Sequence, residues 1–149
     1  MTRSTKRKAA DEEAFRKRLK AHGLKVTGQR LAVHGAMMSL IHASAEQVRE
    51  RIGSSCRISL ASVYNILSEL ADNNIYSRRL SANNKMYFDV FPERHVHLYD
   101  TRNNEYLDIE GQDLLDTIEA GLKRHRFRGY KIDGFDIQIL CHPTRKKML

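Results

Sequence analysis

Three histidines and two aspartates in this 149-residue chain are spaced so that they could hold one cation. His95-Val-His97 reads as part of a strand, where side chains alternate, so both imidazoles point to one face. Asp89, shortly before, and Asp108, on the strand expected to pair with it, can converge on them. His42, at the start of a helix in an earlier module, is a further candidate. The donors are all nitrogen and oxygen. Such a set suits Fe2+ or Mn2+, and also Zn2+, which prefers fewer ligands. Taken singly, each residue has a plainer reading, because a His-x-His in a strand is more often a surface pair. His22, His34, His125 and His142 have no partner at ligand spacing and read as surface or helix-end residues. Cys56 and Cys141 form no C-x-x-C pair, which excludes a disulfide framework and a thiolate zinc ribbon and fits a reducing cytoplasm.

A second set of residues could read nucleic acid. In Arg57–Leu67 and the turn after it, Leu60, Val63, Ile66, Leu67 and Leu70 recur at helical spacing as one buried stripe. Removing them leaves Ser59, Ala61, Ser62, Tyr64, Asn65 and Ser68 facing outward. A helix enters the major groove only if its outer side chains are short near its N-terminus. Ser59, Ser62 and Asn65 can bond phosphates or base edges, the Tyr64 ring can pack on thymine methyls, and Arg57, Arg78, Arg79 and Lys85 can hold phosphates. Charge supports this. Residues 1–90 carry 16 Lys/Arg against 8 Asp/Glu, whereas residues 91–149 carry 10 of each. A basic half beside a neutral half suggests two modules with different partners, the basic one facing a polyanion.

The elements that must position these groups follow from caps and periodicity. Residues 1–10 read as a basic arm and Asp11–His22 as a helix with acids in its first turn, ended by Gly23. Thr27 caps a helix to about Leu40, Ser44-Ala-Glu-Gln47 is a capping box, and Ser59 caps the reading helix. Ile75–Leu80 and Met86–Val90 make a two-stranded hairpin. The sequence therefore predicts an α+β protein, with a winged helix-turn-helix over residues 11–90. After it come strands His95–Tyr99 and Glu105–Ile109, a helix Asp113–His125 and a strand Tyr130–Leu140, a small α/β unit over residues 91–142 before a basic tail, 143–149. So small a unit hides both sheet faces poorly and is expected to pair with a second copy. No apolar run is long enough to span a membrane, and the N-terminus lacks the apolar core of a secretory signal, so no membrane partner is expected.

Three segments carry a resemblance. Gly23-Leu-Lys-Val-Thr-Gly-Gln-Arg-Leu31, His42-Ala-Ser-Ala-Glu46 and Ile58-Ser-Leu-Ala-Ser-Val-Tyr-Asn65 resemble motifs of the ferric uptake regulator family of bacterial transcription factors. Tyr87-Phe-Asp89, His95-Val-His97 and Leu107-Asp-Ile109 fall where that family has its hinge and sensor ligands. The resemblance spans about Phe15–Cys141. It implies a cytoplasmic homodimer that binds AT-rich inverted repeats in double-stranded DNA. The regulatory metal would sit on His42, Asp89, His95, His97 and Asp108, and Lys25 would reach a minor groove. Most members also hold a structural zinc with two C-x-x-C pairs. Here those places fall on Asp100 and Asn103, and on Cys141 and Thr144, so no structural zinc is expected. Asp108 resembles the peroxide-sensing branch, in which a ligand histidine matching His42 or His95 is oxidised. The segments without C-x-x-C also resemble the iron response regulator branch, some of whose members respond to haem.

The expected function is a metal-dependent repressor of iron-homeostasis or peroxide-stress genes. Alternatives are a metal-independent or haem-responsive regulator, a metal-storage or delivery protein, and a histidine/carboxylate hydrolase. No nucleophile elbow, phosphate loop or dinucleotide fingerprint occurs, so an enzyme is not expected.

Overall fold

In the computed structural model, which describes residues 3–92 and 96–145, the chain forms two units. One comprises Met1–Leu80 with Lys85–Pro92, and the other Ser81–Asn84 with Glu93–Leu149.

The first unit begins with helix α1, Arg3–Ala21. The helix starts at Arg3 rather than at Asp11, so most of the basic arm is helical and no acid lies in the first turn. Lys6, Arg7, Lys8, Ala9 and Ala10 are all strong helix formers, which explains the extension. The helix ends as expected. Gly23 takes φ +70°, and the amides of Leu24 and Gly23 reach back to the carbonyls of Leu19 and Lys20 at 2.8 and 3.0 Å.

Helix α2 spans Gly28–Leu40, with the Thr27 hydroxyl accepting from the Arg30 amide at 3.2 Å. A two-residue strand, β1 (His42–Ala43), follows. Ser44 and Gln47 then exchange the two bonds of the predicted capping box and open α3, Ala45–Ile52. Ser59 caps α4, Leu60–Asp72. Strands β2 (Ser77–Leu80) and β3 (Met86–Asp89) form the wing. The expected hairpin is thus a three-stranded antiparallel sheet in the order β1-β3-β2.

The core of this unit gathers Phe15, Leu19, Val33, Met37, Val48, Val63, Leu67, Leu70, Ile75 and Phe88. Two readings of α4 change. Leu60 is 44% exposed, because the buried stripe begins at Val63, a turn after the helix start. The Ser68 hydroxyl is buried without a hydrogen-bond partner among the described residues, at the edge of that stripe rather than on the outer face.

His34 is not a surface residue. It is buried and stacks parallel on Phe15, with ring centroids 3.8 Å apart. Its Nε2 lies 2.8 Å from Asp11 Oδ2 and its Nδ1 2.7 Å from the Tyr76 hydroxyl. An ionised carboxylate only accepts, so Nε2–H donates to Asp11 and Tyr76 O–H donates to Nδ1. Sequence spacing missed the group because its members are 23 and 42 positions from His34. It clamps α1 onto α2 and the start of the wing.

The second unit holds β4 (Val96–Asp100), β5 (Glu105–Ile109), helix α5 (Gln112–Lys123) and β6 (Ile137–Cys141). The sheet order is β5-β4-β6, antiparallel between β4 and β5 and parallel between β4 and β6. The last strand is shorter than its alternation suggests. Residues 130–136 join no ladder and Ile132 is 45% exposed. The five pairs of the β4–β6 ladder run from Val96↔Ile137 to Asp100↔Cys141, and the alternation upstream of Ile137 takes no part in them. Among the described residues no helix is long and apolar enough to cross a membrane.

Burial holds the His34 imidazole below its ordinary pKa, offset in part by Asp11. The neutral ring is therefore the native form, and the unfolded chain takes up the proton first, near pH 6.5. Stability is expected to be constant above that pH and to fall as pH drops below it. Urea unfolding at pH 8 and pH 5.5 checks this: the parent should lose more stability on acidification than His34→Gln.

Candidate metal centre and nucleic-acid interface

The metal candidates arise from one rung in each sheet. In the first unit, Ile41 adopts φ 65°, a strained value for a β-branched residue. Its amide bonds the Met37 carbonyl at 2.6 Å and its own carbonyl accepts from Val90 at 3.3 Å. The end of α2 is thereby pinned to the end of β3, and β1 is laid along it with His42 opposite Asp89. His42 Nδ1 lies 2.9 Å from Asp89 Oδ2, and Asp89 Oδ1 accepts from the Phe91 amide at 2.8 Å. Asp89 is 1% exposed. A carboxylate so buried is stable only when such donors surround it. His42 and Asp89 thus bring a nitrogen and an oxygen lone-pair donor to one rung.

In the second unit His97 is buried on β4, opposite Asp108 in the ladder, with its ring edge-on to Tyr106 at 5.7 Å. Only the backbone of Asp108 is described, and His95 lies outside the described residues. Each sheet therefore sets one histidine and one aspartate at the same rung. These nitrogen and oxygen donors fit a divalent ion of the Fe2+, Mn2+ or Zn2+ type.

At the positions where the resembling family carries cysteines, hydrogen bonds close the β4–β5 turn. Asp100 Oδ1 accepts from the amides of Arg102 and Asn103 at 2.9 and 3.1 Å, and Asp100 Oδ2 accepts from Asn103 Nδ2 at 2.7 Å. The Thr101 amide and hydroxyl both bond the Cys141 carbonyl, at 2.9 and 3.1 Å, tying the turn to β6.

On α4, Tyr64 is 45% exposed, its ring edge-on to Phe88 at 6.1 Å, and Asn65 is exposed beside it. Lys25 and Arg57 are exposed. Ser59 and Ser62 have a local duty as well. The Ser59 oxygen accepts from the Ser62 amide at 3.1 Å, and the two hydroxyls bond each other at 2.9 Å. Two residues the sequence reading passed over hold this face in place. Gln29 donates to the Arg57 carbonyl at 3.2 Å, and Arg30 donates to the Lys25 carbonyl at 2.6 Å and pairs with Glu69 at 2.8 Å. Their side chains thus position the segments that carry Lys25 and Arg57. The only sequence signal was their place in the first motif.

The first unit places the chain in the winged-helix class. The model of the Ferric uptake regulator family matches residues 21–139, and the chain belongs to that family. Among its relatives, the ferric uptake regulation protein of Haemophilus influenzae is 36% identical over 86 residues, 55% of this chain and 59% of that protein. The match thus spans under two thirds of that relative's length. Among solved structures, the Vibrio cholerae ferric uptake regulator superposes with a TM-score of 0.71 at 22% identity, over 86% of this chain and 98% of that one. The Campylobacter jejuni peroxide stress regulator gives 0.66 at 25%, over 86% and 95%. The Pseudomonas aeruginosa ferric uptake regulator, solved with manganese, gives 0.67 at 19%, over 85% and 96%.

Asp100→Ala removes three hydrogen bonds between a buried carboxylate and an exposed turn. Water can replace the lost acceptor, so the expected loss of stability is about 1–2 kcal/mol. Amide hydrogen exchange in β4 and β5 reports the loss in the second unit.

Proposed function

We propose that the protein is a metal-dependent DNA-binding repressor, a cytoplasmic homodimer acting on AT-rich inverted repeats in iron-homeostasis or peroxide-stress control. The observation that carries the reading is the pair of histidine–aspartate rungs, one in each unit, on either side of Val90–Pro92 in the chain. His42, Asp89, His95, His97 and Asp108 would hold Fe2+ or Mn2+, with Zn2+ a possible occupant of the purified protein. The bound ion would supply one divalent centre, its charge offset by the two carboxylates and its remaining positions taken by imidazole lone pairs. Because His42 and Asp89 belong to one unit and the other three to the second, holding one ion in common fixes the intervening segment. That sets the distance between the two α4 helices of a dimer. A form that holds the ion more tightly is thereby selected, and by linkage it is the form that holds the operator.

The remaining residues divide the labour on DNA. Arg57 and Lys25 carry phosphate and minor-groove contacts, and Tyr64 and Asn65 face the bases with Ser59 and Ser62 at the helix start. Support for a homodimer comes from the second unit, where Leu107, Leu114, Ile118 and Leu140 are exposed, more apolar surface than so small a unit leaves to water. Likeness to a peroxide stress regulator favours His42 or His95 as the oxidised residue.

Fluorescence anisotropy on AT-rich duplex DNA tests the reading. Added Mn2+ should tighten binding of the parent by about tenfold or more, within the usual range of allosteric coupling. His97→Ala should stay folded and lose that increment, whereas Tyr64→Ala should weaken binding with and without metal. Tight binding by the metal-free parent, unchanged in His97→Ala, would overturn the switch.

A further inference from the structure

The charge balance of the second unit is neutral only in sum. Eight acids lie between Glu93 and Glu119, whereas Lys123, Arg124, Arg126, Arg128 and Lys131 follow one another with no acid until Asp133. His125 adds an imidazole to this run, and Phe127 and Tyr130 are interleaved with it.

The structure shows this segment leaving the end of α5 as an exposed loop, in which every residue from 123 to 134 is exposed. Among the described residues, none of its five Lys and Arg side chains makes an ion pair. A turn gives the loop its form. The Tyr130 amide bonds the Phe127 carbonyl at 2.9 Å, and Gly129 takes φ +84°, which a side chain would resist. Tyr130 is 82% exposed and Phe127 42%. The two rings, with Ile132, His125, Arg126 and Arg128, line a crevice of about 600 Å³.

Five cations among nine exposed positions, none of them in an ion pair among the described residues, form a local field that attracts a polyanion. Exposed rings between them add something a duplex backbone does not use, namely flat apolar faces on which unpaired bases stack. Cations that track a backbone, with aromatic platforms between them, are the two parts of a single-strand site. We propose that the loop of residues 123–131 binds single-stranded nucleic acid, its guanidinium groups on the phosphates and the Phe127 and Tyr130 rings against bases. It shares no residue with the α4 face and does not rest on that face reading duplex DNA.

The test uses the full-length protein, with a fluorescent 20-nucleotide single strand of mixed sequence, as DNA and as RNA, and the corresponding DNA duplex. Phe127→Leu/Tyr130→Leu keeps apolar bulk but removes the rings. It should weaken single-strand binding by about tenfold or more, the scale of stacking on two platforms, and leave duplex binding unchanged. Arg126→Gln/Arg128→Gln should reduce the slope of log affinity against log salt on the single strand by about 1.4, two phosphate contacts at roughly 0.7 each. All four positions are exposed, and circular dichroism melts confirm that the variants fold. If the ring variant binds the single strand as the parent does, or loses both probes equally, the stacking site is wrong. It is also wrong if the parent binds no single strand. Tyr64→Ala reports separately on the duplex, so failure of that reading is seen independently.

Discussion

A carboxylate that is 1% exposed must be answered by donors, and much of the first unit is arranged to answer Asp89. The Phe91 amide takes one oxygen and His42 the other. For His42 to be there, two residues must leave the end of α2 and lie along β3, which requires the positive φ of Ile41. The capping box of Ser44 and Gln47 then starts α3 immediately afterwards, so that β1 cannot lengthen. Local rules on both sides confine the imidazole to one rung. The strain at Ile41 is offset by its two backbone hydrogen bonds, and the result is a histidine held beside a buried carboxylate at one rung.

The second unit meets a related demand by other means. His97 is buried at the rung opposite Asp108, and Tyr106 sets its ring edge-on. The sheet that carries it is pinned at its far end by Asp100, whose carboxylate closes the turn through two amides and the Asn103 side chain. Cys141 contributes through its backbone, as the acceptor for Thr101. Packing and short-range hydrogen bonds thus join the β4–β5 turn to β6.

How much of this was legible depended on range. Thr27, the Ser44–Gln47 box, Ser59 and Gly23 were readable because each acts on backbone groups within a few positions. The strand through Val96 and His97 and its pairing with Glu105–Ile109 followed from alternation, and His97 falls opposite Asp108; His95 lies outside the described residues. β1 was invisible, since two residues have no period. His34 was misread for the opposite reason: its partners Asp11 and Tyr76 lie far along the chain, and only the packing of Phe15 brings them together. The extended alternation before Ile137 misled because period alone does not supply a neighbouring strand. Spacing alone named the five candidate ligands His42, Asp89, His95, His97 and Asp108, and the family resemblance fell on the same five.

The central claim is that one ion is held jointly by donors from both units. Equilibrium dialysis of Mn2+ against the parent, His42→Ala and His97→Ala addresses it directly. The account predicts one tightly bound ion per chain in the parent and loss of that ion in either variant, since each removes a donor from a different unit. Full retention of the ion in either variant would contradict it.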